Sequence, residues 1–202
     1  MVKPAPFKEE LMALIIGLCG DKQHGKDTVA EILMALAIEH GVKGVRRAMA
    51  DPLKEEIAAC FAPRMGVTKE ELIRQMNTTG EKERWRLIMQ WWGTEYRRTE
   101  DKDYWVKQMH GWMKEYAWPE SKMIVLVPDV RFMNEINYVL NNGGYMLRVV
   151  RPALPTDDTH ASEQEWKQFN GWSQVIDNSG SMEELQVKVA SLYTLLEGRG
   201  QF

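Results

Sequence analysis

The residues best equipped for chemistry are Gly20-Asp21-Lys22-Gln23-His24-Gly25-Lys26-Asp27-Thr28. The spacing Gly-x4-Gly-Lys is that of a loop that cradles phosphate groups. Consecutive backbone N–H groups in such a turn, with a helix N-terminus behind them, seat anions. Lys26 adds a point charge at the β- and γ-phosphates of a bound nucleotide. Thr28 offers a hydroxyl to a phosphate or to a metal shell. Asp27 stands where Ser or Thr normally completes the motif. A carboxylate beside a polyphosphate is repulsive unless a cation lies between them, and a hard-oxygen ligand suits Mg²⁺.

Other groups of residues point the same way. Asp129-Val130-Arg131 follows an apolar run, where a phosphate-loop fold holds a second metal-directed carboxylate, with Arg131 able to bridge phosphates or to pair with Asp129. Gln90-Trp91-Trp92-Gly93-Thr94-Glu95-Tyr96-Arg97-Arg98 combines rings that can stack on a base with guanidinium groups that take phosphate bidentately. Trp91 and Trp92 cannot share one helix face, so at least one belongs to a core. Asp51-Pro52-Leu53-Lys54 would line a cleft from the opposite side. Arg151, with Asp158, His160, Ser162 and Glu163, sits on a polar stretch suited to a lid. Asp177-Asn178-Ser179-Gly180 is a turn that can edge an adenine. His160 has no Cys or His partners at metal-ligand spacing.

These residues need a scaffold that gathers them. Residues 14–19 form a continuous apolar run, as expected of a central parallel strand. Residues 26–40 read as a helix, with Val29, Ile32, Leu33, Leu36 and Ala37 as its apolar stripe. Residues 42–50 read as a strand. Helices follow at 51–62, where Asp51 can cap and Pro52 suits the first turn, and at 68–76, with Thr68 as cap and Glu71 three residues on. Residues 81–98 are helical, with Gly93 as a candidate break, and 102–116 are helical. Strands are expected at 123–127, 145–150 and 174–176, and helices at 131–142, 163–170 and 181–196. About 65 residues of mostly helix between two strands are too many for a simple crossover, so they imply an inserted helical subdomain. The remaining alternation of strand and helix implies an α/β fold with a parallel, helix-covered sheet.

Composition bounds the function. The chain has 202 residues, 44% apolar and 27% charged, enough for one domain with a core and a soluble surface. A net charge of −3 argues against bulk nucleic-acid binding. The longest apolar run, residues 11–19, is far short of a membrane span. Residues 1–10 make a poor signal peptide and read as a tail. Two cysteines, Cys19 and Cys60, form no disulfide framework or zinc spacing, which fits a reducing cytoplasmic setting with Cys19 as a buried thiol. Six of the eight tryptophans fall between Trp85 and Trp118, so the helical stretch carries most of the large aromatic surface.

In family order, Gly20-x4-Gly25-Lys26-Asp27-Thr28, Ala50-Asp51-Pro52-Leu53-Lys54, Gln90-Trp91-Trp92-Gly93-Thr94-Glu95, Asp103-Tyr104-Trp105-Val106, Asp129-Val130-Arg131-Phe132-x-Asn134-Glu135, Arg151-Pro152, His160-x-Ser162-Glu163 and Asn178-Ser179-Gly180 resemble the deoxynucleoside monophosphate kinases of tailed phages, within the P-loop nucleotide kinases. The Gly-Lys-Asp-Thr variant is familiar in that group. The resemblance implies a three-layer P-loop fold with a five-stranded parallel sheet, core residues 11–50 and 121–200, a nucleoside-monophosphate-binding insert at about 51–120 and a lid at about 151–165. It implies transfer of the ATP γ-phosphate to a deoxynucleoside monophosphate for DNA precursor synthesis. ATP would lie against Gly20, Lys22, His24, Gly25, Lys26, Asp27 and Thr28, with Asn178 and Gly180 beside the adenine. Asp27 or Thr28 would hold Mg²⁺ directly, and Asp129 through water. Lys26, Asp129, Arg131 and Arg151 would be catalytic. Asp51, Lys54, Gln90, Trp92, Thr94, Arg97, Arg98, Trp105 and Arg131 would bind the acceptor. The partners expected are these two small molecules, with no nucleic acid or membrane, and the protein a monomer or homodimer in the cytoplasm (of a host, if viral). Two features depart from the pattern: the bulky polar loop interior Asp21-Lys22-Gln23-His24 and the aromatic pair Trp91-Trp92. A dephospho-coenzyme A kinase-like enzyme, and a regulatory module that binds ATP without transferring it, are the alternatives.

Overall fold

The computed structural model describes residues 13–78, 80–120, 122–152 and 164–198. Five parallel strands form one sheet in the order β2-β3-β1-β4-β5. They are β1 Leu14–Cys19, β2 Lys43–Arg46, β3 Met123–Val127, β4 Tyr145–Val150 and β5 Gln174–Asp177. β1 lies in the middle and is wholly buried, so its alternate residues feed two cores. Leu14, Ile16 and Leu18 pack with Val29 and Leu33 of α1 (Lys26–Glu39) and with Leu185 and Val189 of α8 (Met182–Glu197). Ile15 and Cys19 face the other way, onto Val139 of α7 (Met133–Asn141) and Met109 and Met113 from the helical region. Helices thus cover both faces, and the three-layer α/β fold expected from the sequence is the one observed.

Between β2 and β3 the elements among the described residues are helical: α2 Asp51–Met65, α3 Lys69–Asn77, α4 Lys82–Gln90, α5 Arg97–Glu100 and α6 Tyr104–Trp112. They have their own core of Leu53, Ile57, Ala62, Leu72, Met76 and Trp105. The cap predicted at Thr68 is present, its hydroxyl accepting the Glu71 N–H at 3.1 Å. The helix around Gly93 does not break. A π-helical stretch, Trp91–Tyr96, joins α4 to α5, and a second one, Met113–Ala117, extends α6. A Cβ at Gly93 would lie 3.1 Å from Leu53, so glycine lets this helix pack closely on α2, and its carbonyl accepts the Trp105 indole N–H at 2.9 Å.

Several boundaries differ from the sequence reading for identifiable reasons. β2 ends at Arg46 rather than at residue 50 because side chains capture the next amides. Ala48 N–H donates to Asp51, and Met49 and Ala50 N–H donate to Asp129. Asp51 is therefore the first residue of α2, its carboxylate gripping the preceding turn, rather than the cap. α7 begins at Met133, not Arg131, because the N–H groups of Arg131 and Phe132 donate to the Glu135 carboxylate and Phe132 is extended. Residues 165–168 form a single 3-10 turn in place of the longer helix. Most of the lid stretch, including Asp158, His160, Ser162 and Glu163, lies outside the described residues.

Candidate active site

In a parallel sheet the loops after the strands all emerge at one edge, and ligands bind there. Every strand here delivers a candidate residue to that edge: β1 the phosphate loop, β2 the Arg46–Asp51 turn, β3 Asp129, β4 Arg151 and β5 Asn178. The loop after β1 is built on unusual backbone conformations. Gly20 has φ 152° and Gly25 φ 93°, and Gln23 also adopts a positive φ of 66°. A Cβ on Gly20 would lie 2.4 Å from the Val149 carbonyl oxygen, and one on Gly25 would lie 2.3 Å from Nδ2 of Asn178. The spacing of the two glycines is thus a packing requirement of the loop against β4 and β5.

Gly25 caps α1 without a side chain, so no side chain occupies the helix's first amides. In front of them lies a cavity of about 360 Å³ lined by Gln23, Gly25, Lys26, Asp27, Thr28, Arg151, Asn178, Gly180, Met182 and Leu185. That volume suits a small-molecule ligand. Lys26 Nζ donates to the carbonyl oxygens of Gly20 (2.7 Å) and Asp21 (2.8 Å), folded onto its own loop. The structure therefore brings together Lys26, Asp27, Thr28, Arg151, Asn178 and Gly180. It does not bring Lys22 or His24 into the cavity wall. Lys22 reaches across to Glu83 of α4 at 2.7 Å, and His24 is buried beneath the loop.

A second group of charges lies on the β3 side. Asp129 is held by the amides of Met49 (2.7 Å) and Ala50 (2.9 Å). Lys54 is only 7% exposed, with its ammonium 3.4 Å from Asp51. Asp27 pairs with Arg46 at 3.0 Å while remaining largely open to solvent. Lys82, at the start of α4, is exposed, yet its ammonium senses the same charges. Desolvation, then the neighbouring charges of Lys54 and Arg131, push its pKa down, opposed by Asp27 and Asp129. Cys19, at the end of β1, is pushed up by burial and then by Glu135, and also senses Lys26, Asp129 and Arg131. Its thiol donates to the Val130 carbonyl at 3.0 Å, which makes it a structural residue.

The helical region uses its expected ligands differently. Trp92 donates its indole N–H to Glu56 at 2.9 Å, and Arg97 donates Nε to the same oxygen at 2.9 Å. The Tyr104 hydroxyl also donates to Glu56, and the Arg97 guanidinium lies 4.9 Å and 4.7 Å from the rings of Tyr96 and Tyr104. Burial alone would raise the Glu56 carboxyl. The hydrogen bonds from Tyr104, Trp92 and Arg97 outweigh it and hold the group below the usual carboxylate range. Arg98 is a clamp: it pairs with Glu135, donates to Asn134 at 3.2 Å and to the Lys102 carbonyl at 3.0 Å, and stacks over Phe132 at 3.6 Å. Trp105, read from sequence as part of a base pocket, is instead a core residue at 4% exposure. Gln90 and Thr94 are half-buried on the same helical stretch. Trp91 points outward, 54% exposed and stacked on Tyr96.

Sequence reasoning missed Glu56 and Lys82. Glu56 left a faint signal, a carboxylate three residues after Leu53 and so beside the apolar stripe of α2. Lys82 left none, because it lies in the charge run Glu81-Lys82-Glu83-Arg84 that normally marks a solvated face.

Comparison with known proteins bears on this arrangement. An APS kinase from Mycobacterium tuberculosis, CysC, solved as a cysteine-to-alanine mutant, aligns with a TM-score of 0.45 and 12% identity over 90% of this chain and 96% of that one. A mimivirus protein of Acanthamoeba polyphaga mimivirus named "Putative deoxynucleotide monophosphate kinase" is 28% identical over 196 residues, covering 88% of this chain and 95% of the relative. The deoxynucleotide monophosphate kinase family profile matches residues 65–189. That stretch is more than half of the chain and carries Asp129, Arg131, Arg151 and Asn178 along with the α4–α6 helices, so the protein belongs to the deoxynucleotide monophosphate kinase family.

Proposed function

We propose that the protein transfers the γ-phosphoryl group of ATP to a deoxynucleoside monophosphate, giving ADP and a deoxynucleoside diphosphate. The observation that carries this reading is the cavity in front of α1, with the helix amides, Lys26 and Arg151 around it. Triphosphate oxygens would take the loop N–H groups and would replace the Gly20 and Asp21 carbonyls as partners of Lys26. Asn178 and Gly180 would edge the nucleoside. The acceptor phosphate would enter from the β3 side, where Lys54, Lys82 and Arg131 concentrate positive charge. An acceptor oxygen then attacks the γ-phosphorus in line, and the bond from that phosphorus to the bridging oxygen of ADP breaks. Such transfer is mostly positioning and electrostatics, and needs no nucleophilic side chain.

The residues present fit Mg²⁺. It keeps several waters and needs only one or two carboxylates besides substrate phosphates. Thr28 and the exposed carboxylate of Asp27 line the cavity, and Asp129 stands at the neighbouring strand end. When bound, the cation neutralises phosphate charge.

The test is ADP formation from ATP across all deoxynucleoside and ribonucleoside monophosphates, with dephospho-coenzyme A as a further acceptor. The reading predicts ADP release that depends on a deoxynucleoside monophosphate. Release confined to dephospho-coenzyme A, or ATP binding with no acceptor-dependent release, would overturn it.

A further inference from the structure

His24 lies in the middle of the phosphate loop, yet its ring does not face the cavity. It is 5% exposed and wedged between the loop and the end of β4. Its Nδ1 accepts the backbone N–H of Arg151 at 3.3 Å and lies 3.3 Å from the Val149 carbonyl oxygen. Its own carbonyl accepts Nδ2 of Asn178 at 3.0 Å. One residue therefore ties the loop to the ends of two strands, and the residues it grips, Arg151 and Asn178, both line the cavity.

We propose that His24 is a positioning residue for Arg151: the imidazole fixes the backbone from which the guanidinium projects into the phosphate cavity. The inference rests on reading Arg151 as a phosphate ligand. For Nδ1 to accept the Arg151 N–H, the ring is neutral and carries its proton on Nε2. That Nε2 is buried and has no hydrogen-bond partner among the described residues. Burying an unpartnered donor is unfavourable, and an apolar side chain of similar size would fill the space without that penalty. Packing alone does not explain an imidazole here; of the two roles open to Nδ1, accepting the Arg151 amide or donating to the Val149 carbonyl, the first is assigned to it.

The experiment is a double-mutant cycle. His24→Leu removes the acceptor, His24→Asn keeps an oxygen close to the Nδ1 position, and His24→Gln moves it outward. Each is made in the native and the Arg151→Ala background. The kcat, the KM for each substrate and the affinity for a non-hydrolysable ATP analogue are measured, with thermal unfolding as the fold check. His24→Leu is expected to lower kcat about tenfold in the native background and less than about twofold with Arg151→Ala, a coupling within the range of residues in one hydrogen-bond network. His24→Asn should recover most of the loss and His24→Gln little of it. Equal losses in both backgrounds, no loss at all, or Gln rescuing as well as Asn would overturn the proposal. If His24→Leu does not fold, the Asn and Gln variants decide. If the native protein phosphorylates no deoxynucleoside monophosphate, the functional reading fails separately. The analogue affinity then carries the cycle, with coupling to Arg151 supporting the positioning role and its absence ending it.

Discussion

At the start of α1, Lys26 donates to carbonyl oxygens of its own loop, and Arg151 lines the cavity in front of the helix. Across the cleft, Arg97 and Arg98 meet carboxylates: Glu56 holds the first and Glu135 the second. The same residue type thus serves two ends. On the loop side, the cationic residues Lys26 and Arg151 line the cavity. On the helical side, much of the charge is spent on joining helices to one another and to α7. Lys54 and Lys82 differ, since their charges act on each other and, at Lys82, on Asp27 and Asp129. A cluster of arginines and tryptophans in a sequence does not by itself mark a binding surface; what matters is whether carboxylates nearby satisfy it first.

The comparison breaks most visibly at Lys26. Lys26→Ala is expected to lower kcat by about a thousandfold, the scale of losing a preorganised electrostatic group, while the melting temperature stays nearly unchanged. Near-native turnover would remove the loop from the chemistry. Glu135→Ala tests the other side. Glu135 is 3% exposed and accepts from Arg98 and from two backbone amides. Breaking such a buried pair from one side costs about 3–5 kcal/mol. Denaturant unfolding should show that loss, and a change below about 1 kcal/mol would mean the clamp is dispensable.

Asp27→Ala should raise the Mg²⁺ concentration for half-maximal activity about tenfold, as expected when a carboxylate beside the cation is lost. An unchanged metal titration would leave Asp27 only as the partner of Arg46. The smallest effect is expected at Glu56. Its carboxyl is held low in the folded protein, so near its ordinary titration range the unfolded chain binds more protons. The stabilisation it gives is present above the unfolded pKa and is lost as pH falls through the folded value. Glu56→Gln should flatten the rise of stability with pH in that acidic window. An unaltered slope would show that Tyr104, Trp92 and Arg97 do not act through this carboxylate.

The loop and the strands were legible because their signals are local. Gly20 and Gly25 hold positive φ angles within the loop itself, and the apolar run of β1 needs burial on both faces. Asp129 was legible as a strand-end carboxylate, but its grip on Met49 and Ala50 was not, because those residues come 80 and 79 positions earlier. Lys82 was invisible and Glu56 only faintly marked for the same reason: their surroundings depend on how α2 and α4 dock. Arg97, Arg98 and Trp105 have partners that residue type alone did not disclose: Glu56, Glu135 and the Gly93 carbonyl.

The central claim is that a γ-phosphoryl group passes from the loop side of the cleft to an acceptor on the helical side. Its most direct measurement follows γ-labelled ATP mixed with a deoxynucleoside monophosphate and the native protein, with Lys26→Ala alongside. The account predicts label in the deoxynucleoside diphosphate with the native protein and almost none with the variant. Label appearing only as free phosphate, or equally with both proteins, would contradict it.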